Sequence, residues 1–362
     1  MVQKNRHSGL KDVAKLARTS IATASRAISG KGYIDENTKR SVLEAAKTLN
    51  YQPNLQARNL RKQSSGIIGL IIPNLLNAYY TTLANLLSQS LYDSGYHLWL
   101  ASTQDEPVIE KGMLHDMLGY PVEGLIWVPT RGDDDSLLKY IKDRRIPTIT
   151  IVRRVRNNML DTIVFQDKAG TEIAIQHLIN LGHQRIAYIG GDIRHTSNHD
   201  RWEGFTTAMA AAGLPRRDEL VRFGSNWSTL GEIATNELFQ LPEKPTAIFV
   251  ASNAIMPGVI RTLQRRQINI PGDVSVICFD DLDWFSFSVP TITAITHDHN
   301  KLANTTVDLL MKRIEGNKEQ KVLSTPMFIT IDFELVLRKS TAPPPGLQKN
   351  SDSYNLVKSA DS

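Results

Sequence analysis

Apolar residues along the chain follow two different periods, and the change falls near residue 66. In "LKDVAKLA", Leu10, Val13, Ala14 and Ala17 stand at i, i+3, i+4 and i+7, the spacing of one helix face. After "RTS", Ile21, Ala24 and Ile28 resume the pattern. Ser20 stands where an N-cap hydroxyl would accept an orphan amide hydrogen. Val42, Ala45, Ala46 and Leu49 mark a third helix near Glu36 to Leu49. Three short helices with a tight turn between the first two predict a helix-turn-helix headpiece over residues 1–53.

Beyond residue 66 the pattern changes to short β-rich runs: "GIIGLIIP", "YHLWLAS", "GLIWVP", "TITIV", "RIAYIG", "TAIFVAS" and "VSVICFDD". Amphipathic stretches lie between them, at 79–93, 168–181, 200–213, 228–240 and 254–267. This alternation predicts parallel strands with helices on both faces. The runs are too many for one sheet, so the body over 66–339 reads as two similar α/β lobes. Crossings are expected near 153–161, 286–292 and 326. They give a first lobe of about 66–155 and 290–326, and a second of about 160–287 and 327–339. Between headpiece and body, 54–65 has room for about two helical turns, too few to be stable alone in water. Residues 340–362, rich in Pro, Ser and Asn, read as a disordered tail.

Composition narrows the classes. The chain has 362 residues, more than one ordinary core accommodates. No run is long and apolar enough to cross a bilayer, and "MVQKNRHSGLKD" lacks an apolar signal-peptide core. A single cysteine, Cys278, cannot form an internal disulfide. These features favour the cytoplasm. Net charge is +5 but uneven: residues 1–62 hold thirteen Lys/Arg against four Asp/Glu, or +9, which leaves −4 for the other 300. A basic headpiece on a mildly acidic body points to a polyanion partner for the front end.

The second helix carries Ala22, Thr23, Ala24, Ser25 and Arg26, small residues and one arginine. Small side chains let a helix approach the floor of the major groove. Ile21 and Ala22 can meet base edges and thymine methyls, and Arg26 has the fork for guanine O6 and N7. Ser20, Thr23, Ser25 and Tyr33 can donate to phosphates. The competing reading is an ordinary three-helix core with incidental surface residues.

"LKDVAKLARTSIATASRAISG", "ENTKRSVLEAAKTLNYQPNLQARNLRKQSSGIIGLIIP" and motifs as far as "FELVLRKST" at 333–341 resemble the lactose-repressor/galactose-repressor (LacI/GalR) family of bacterial transcription factors. The resemblance implies a DNA-binding regulator, most often a repressor, that acts as a homodimer on a near-palindromic operator. It implies a hinge helix in the linker, with Asn54 and Ala57 at the minor groove and Leu60 wedged between base pairs. It implies a body shared in fold with periplasmic sugar-binding proteins, whose interlobe cleft takes a sugar or sugar derivative as effector. The matching cleft positions are Tyr79, Tyr80, Ser197, Arg201 in "DRWEGF", Trp227, Ser252, Asn253, Asp280 in "CFDDLD", and His297. A tetramerising leucine heptad, found in some members, is missing here, since only Leu347 and Leu356 occur in the tail.

Four departures from the family pattern carry consequences. Arg18-Thr19 replaces Gly-Val in the turn, so either Arg18 bears a left-handed backbone or the turn differs. Gly9 replaces the usual Thr cap. Val152 stands where many members have Asp, and Ser252-Asn253 where Asn-Asp is usual. Fewer carboxylates leave Arg201 less balanced, which favours a more apolar or an anionic effector such as a sugar acid. Enzyme readings find no Gly-rich P-loop and no nucleophile elbow. His195 with His199, and His297 with His299, have loose metal-ligand spacings, so neither metal nor cofactor is expected. The alternative is a cytosolic solute-binding protein with little transcriptional role, which a gel shift on the chain's own upstream DNA separates from a regulator.

Overall fold

The computed structural model describes residues 9–30, 33–51, 64–156, 159–225, 227–319 and 325–346, and the chain divides into two compact units between Ser65 and Gly66. The hinge positions Asn54, Ala57 and Leu60 lie outside the described residues.

In the first unit α1 (Leu10–Leu16), α2 (Ile21–Ser29) and α3 (Glu36–Thr48) pack around Val13, Ala14, Ala24, Ala27, Val42 and Ala45. Small residues at four of these six core positions let short helices approach closely without leaving voids. Ser20 caps α2, its hydroxyl accepting from Thr23 N at 3.0 Å, and Asp35 caps α3 in the same way through Thr38 N. At Gly9 the cap runs in the other direction, with the Asp12 carboxylate accepting the Gly9 N–H at 2.9 Å.

The second unit contains two sheets. The first is built from β1 (Ile67–Ile72), β2 (His97–Ser102), β3 (Gly124–Trp127), β4 (Thr148–Ile151), β5 (Asp161–Phe165) and β11 (Phe328–Ile331). Its order is β11-β5-β4-β3-β1-β2 and all its pairings are parallel. The second holds β6 (Ile186–Gly190), β7 (Val221–Phe223), β8 (Ala247–Val250), β9 (Ser275–Phe279), β10 (Thr293–His297) and β12 (Phe333–Val336), ordered β12-β10-β9-β8-β6-β7. Here β12 alone runs antiparallel, against β10. The helices are α4 (Ala78–Asp93), α5 (Pro107–Gly119), α6 (Asp135–Arg144), α7 (Asp167–Asn180), α8 (Thr196–Ala211), α9 (Ser228–Leu238), α10 (Met256–Arg265) and α11 (His299–Lys318). Separate apolar clusters lie on the two faces of each sheet, which is why the inner strands β1, β3, β6, β8 and β9 read as nearly unbroken apolar runs.

The lobe boundaries differ from those read in the sequence. Strand β5, expected in the second lobe, belongs to the first sheet, and β10, expected in the first, belongs to the second. The described chain crosses at Gln166, Asp298 and Asp332, each of the three a single residue between adjoining elements. Residues 153–156 and the stretch around Pro290 are loops within a lobe, and their turn-like composition drew the expectation. The true crossings are too short to leave a loop signature. They lie together: Gln166 Nε2 donates to Asp332 Oδ1 at 2.8 Å, and the Phe165 and His297 rings stack at 4.0 Å.

The start of the tail is also ordered. Ser340 donates to the Val276 carbonyl at 2.6 Å and accepts from Thr293 N at 2.8 Å, and Ala342 N donates to Ser275 Oγ at 3.0 Å. The Ser340 hydroxyl thus meets backbone groups near the amino ends of β9 and β10, and the Ala342 backbone meets a β9 hydroxyl. Composition alone had read the whole stretch as disordered, but residues 340–346 are docked.

Candidate functional sites: an exposed helix and an interlobe cleft

Helix α2 divides its small residues between two tasks. Ala24 and Ala27 face the core, so part of the small-residue content serves packing. Ile21, at 48% exposure and contrary to the periodicity that grouped it with the core, stands outward with Ser20, Ala22 and Arg26, while Thr23 and Ser25 are half-buried. Tyr33, just before α3, is 98% exposed. Together these form a presented face of small side chains, one arginine and one phenol, the surface a groove-reading helix needs. Arg18 takes φ 52°, so the turn keeps its left-handed geometry and the arginine bears it. Thr19 N closes the turn by donating to the Ala14 carbonyl at 2.9 Å.

In the body a small cavity of about 30 Å³ lies between the lobes, at the carboxyl ends of the strands. Tyr79, Tyr80, Ser197, Arg201, Ser252 and Asp280 line it, with Asp105, Val152, Arg153 and Asn198 among the others. Asn253 and His297 are buried behind this lining, and Trp227, 37% exposed at the start of α9, is not part of it. Arg201 projects from the first turns of α8. Its Nε donates to Asp167 Oδ1 at 2.7 Å, and its Nη1 donates to the Ala251 carbonyl at 2.7 Å and to Asp280 Oδ2 at 3.3 Å. The guanidinium also sits 3.7 Å from the Phe279 ring centroid, a cation–π contact. Across the cleft Arg153 makes a bidentate pair with Asp105 at 2.6 and 3.2 Å, and His195 Nε2 lies 3.8 Å from Asp105. Arg154, on the first lobe, pairs with Asp200 of α8, and its N–H donates to Thr196 Oγ1 at 3.1 Å, so it binds the lobes together.

Burial governs the charges. It pushes Asp167 up to about 7, Arg201 opposing only in part. It pushes His195 and His297 down to about 4, so both rings are neutral near pH 7. For Asp105, burial is outweighed by Arg153, which holds the carboxyl below its usual range. Burial also works against Arg201, yet Asp280 and Asp167 hold it above its ordinary value and so charged. Three carboxylates therefore face two guanidiniums. Tyr79 OH, Asp280 Oδ1, Arg153 Nε, both polar atoms of the Asn253 side chain and both ring nitrogens of His297 are buried without a protein partner.

The expectation of an under-balanced Arg201 fails because Asp167 was not recognised. Its signal was present, as "FQD" places an acid one step past the carboxyl end of a strand. Arg153 was hidden in the basic run 153–156, which reads as a solvated loop although Arg153 is 3% exposed. Of the loose histidine pairs, His195 turns into the cleft. His199 lies by Asp200 and Glu203, whose carboxylates already pair with Arg154 and Lys168.

Residues 9–54 match the family described as bacterial regulatory proteins, lacI family, and residues 175–341 match a periplasmic binding protein-like domain. The chain is 32% identical over 331 residues to the HTH-type transcriptional repressor PurR of Actinobacillus pleuropneumoniae serotype 3 (strain JL03), covering 91% of this chain and 97% of that protein. The chain belongs to the LacI family. Solved LacI-family structures share its fold. The Lac repressor dimer bound to operator and the anti-inducer ONPF superposes with a TM-score of 0.81 at 23% identity, over 93% of this chain and 100% of that one. A complex of the transcriptional regulator CelR with cellobiose gives 0.68 at 24% identity, over 92% and 99%. The relatives are transcriptional regulators, and this LacI-family chain is a DNA-binding transcriptional repressor whose body is an effector-binding domain. No helix among its described residues is long and apolar enough to cross a membrane.

Proposed function

We propose that the repressor works as a homodimer. Its two α2 helices read the halves of a near-palindromic operator, and a sugar or sugar derivative in the cleft controls that binding. The observation that carries the reading is the presented face of α2 in an amino-terminal segment of charge +9 over residues 1–62, joined to a body whose cleft gathers buried, unpartnered polar atoms. Such atoms are costly unless a ligand meets them, and a polyhydroxylated molecule offers both donors and acceptors. The cellobiose in the CelR complex is a sugar held by the same fold and supports this class.

Two apolar features support self-association. Trp99 and Leu100 stand out from the edge strand β2, and Phe287 and Val289 are 73% and 93% exposed beside a groove that Ile268, Trp284 and Pro290 help line. The Lac repressor structure is itself a dimer on operator. Binding sugars to regulate DNA places the work in the cytoplasm and in carbohydrate metabolism, without catalysis. By the sequence resemblance, ligand binding sets the spacing of the two linkers, and Leu60 wedges into the operator when both hinges form.

The test is selection of genomic fragments by the purified chain at moderate salt, with and without candidate sugars. A shared inverted motif whose retention changes with one sugar is expected. Fragments with no common motif under any condition overturn the reading. On the selected operator, Leu60→Ala is expected to lower affinity at least tenfold while leaving ligand binding unchanged, read by titration calorimetry.

A further inference from the structure

Asp167, which lies behind the cleft lining on Arg201, has no role in the pattern read from the sequence, and its geometry gives it one. It is 2% exposed, opens α7 directly after the Gln166 crossing, and takes the shortest side-chain bond Arg201 makes, 2.7 Å at Nε. Asp280 takes Nη1 from the other side at 3.3 Å, sharing it with the Ala251 carbonyl at 2.7 Å. One buried guanidinium is thus engaged by two buried carboxylates and a carbonyl.

We infer that Asp167 is a specificity-determining residue of the cleft. By holding and neutralising Arg201 from the α7 side, it makes the repressor accept effectors without an ionised acid group and reject carboxylates and phosphates. The inference rests on the reading of this cleft as the effector site. With both carboxylates ionised the Arg201–Asp167–Asp280 trio is formally negative, and asparagine at position 167 removes that excess charge beside the guanidinium. Asp280 Oδ1, buried and unpartnered, calls for an O–H or N–H donor, and an ionised acid oxygen, which only accepts, does not supply one. The second cleft guanidinium has both terminal nitrogens engaged, since Arg153 is bidentate on Asp105 through Nη1 and Nη2. Neither arginine is available to form the fork that acid recognition requires.

Inorganic phosphate is the anionic probe. Titration calorimetry on the full-length chain compares the wild type with Asp167→Asn, Asp167→Glu and the double variant Asp167→Asn/Arg201→Gln, folding being checked by melting curves. The wild type is expected to show no cleft binding of phosphate. Asp167→Asn should gain at least about tenfold, Asp167→Glu should restore the wild-type exclusion, and the double variant should lose the gain. Should Asp167→Asn not fold, Asp280→Asn is the second variant. Asparagine tolerates the φ of 69° there, and a smaller gain is expected because it removes the longer bond. Wild-type phosphate binding that Arg201→Gln abolishes overturns the inference, and so does the lack of any gain in the folded asparagine variants. Failure of every sugar to alter operator retention would instead defeat the reading of the cleft, and leaves the phosphate result standing.

Discussion

Two residues carry backbone strain at sites where the family pattern has a more permissive side chain. Arg18 holds φ 52° in the turn of the headpiece and Val152 holds φ 66° at the floor of the cleft. A left-handed backbone costs an ordinary residue about 1–2 kcal/mol, and most for a β-branched one. Arg18→Gly should therefore stabilise the headpiece by about 1 kcal/mol, seen as roughly fivefold slower exchange of its core amides in the full-length chain. Unchanged exchange would mean that the Arg18 side chain offsets the strain through contacts of its own. Val152→Asn should raise body stability by a similar amount, about 1 kcal/mol in chemical denaturation. At the presented face of α2, Arg26→Ala should cost operator affinity about 1–3 kcal/mol and relax selectivity at one base pair, measured by titrating operators altered base by base. The sequence foresaw that Arg18 would either bear the turn or distort it, because the motif fixes where the turn must lie. It did not foresee Asp167, because a lone acid at a strand end looks the same whether it meets water or a buried guanidinium.

Elements were the most legible level. Short apolar runs became strands and amphipathic stretches became helices, since burial on both sheet faces leaves an unmistakable hydrophobic record. Connections were read poorly. A crossing of one residue has no composition, and the Ser340 hydroxyl and the Ala342 backbone bond groups that only the folded sheet brings near. Helix pairing shows what sequence hides at this scale. At Gly258 in α10 a Cβ would lie 1.8 Å from the Ser228 carbonyl oxygen at the start of α9, and at Gly231 in α9 it would lie 2.3 Å from the Ile255 carbonyl oxygen. The two helices touch backbone to backbone. Gly258→Ala should destabilise the second lobe by about 3 kcal/mol, in the range for overpacked cores, as a drop in the thermal midpoint.

The whole molecule divides its charge, and each half responds to a different variable. The +9 carried by residues 1–62 makes operator binding steeply salt-dependent. A rise from about 50 to about 200 mM salt should weaken it on the order of a thousandfold, measured by titration at several ionic strengths. The body responds to protons. His195 and His297, lowered to about 4 from 6.5, contribute stability that is complete above pH 6.5 and is lost as pH falls towards 4. Asp167, raised to about 7 from 3.8, works oppositely over the same window, since the folded state keeps its proton. Burial lowers His177, His183 and His299 as well, so the lowered histidines outnumber the raised Asp167 and Glu110, and the unfolded chain binds more protons in this range. Body stability should therefore fall as pH drops from 6.5 towards 4, as read from denaturation midpoints. A flat profile would show that the rings are not neutral and buried together. The interleaving of the lobes reaches further, into synthesis itself. Because β11 completes the first sheet and β12 the second, a ribosome that stalls before residue 328 releases a polypeptide lacking an outer strand from both halves. Neither half can be saved by trimming, and only nearly full-length translation products can seal both sheet edges against other chains.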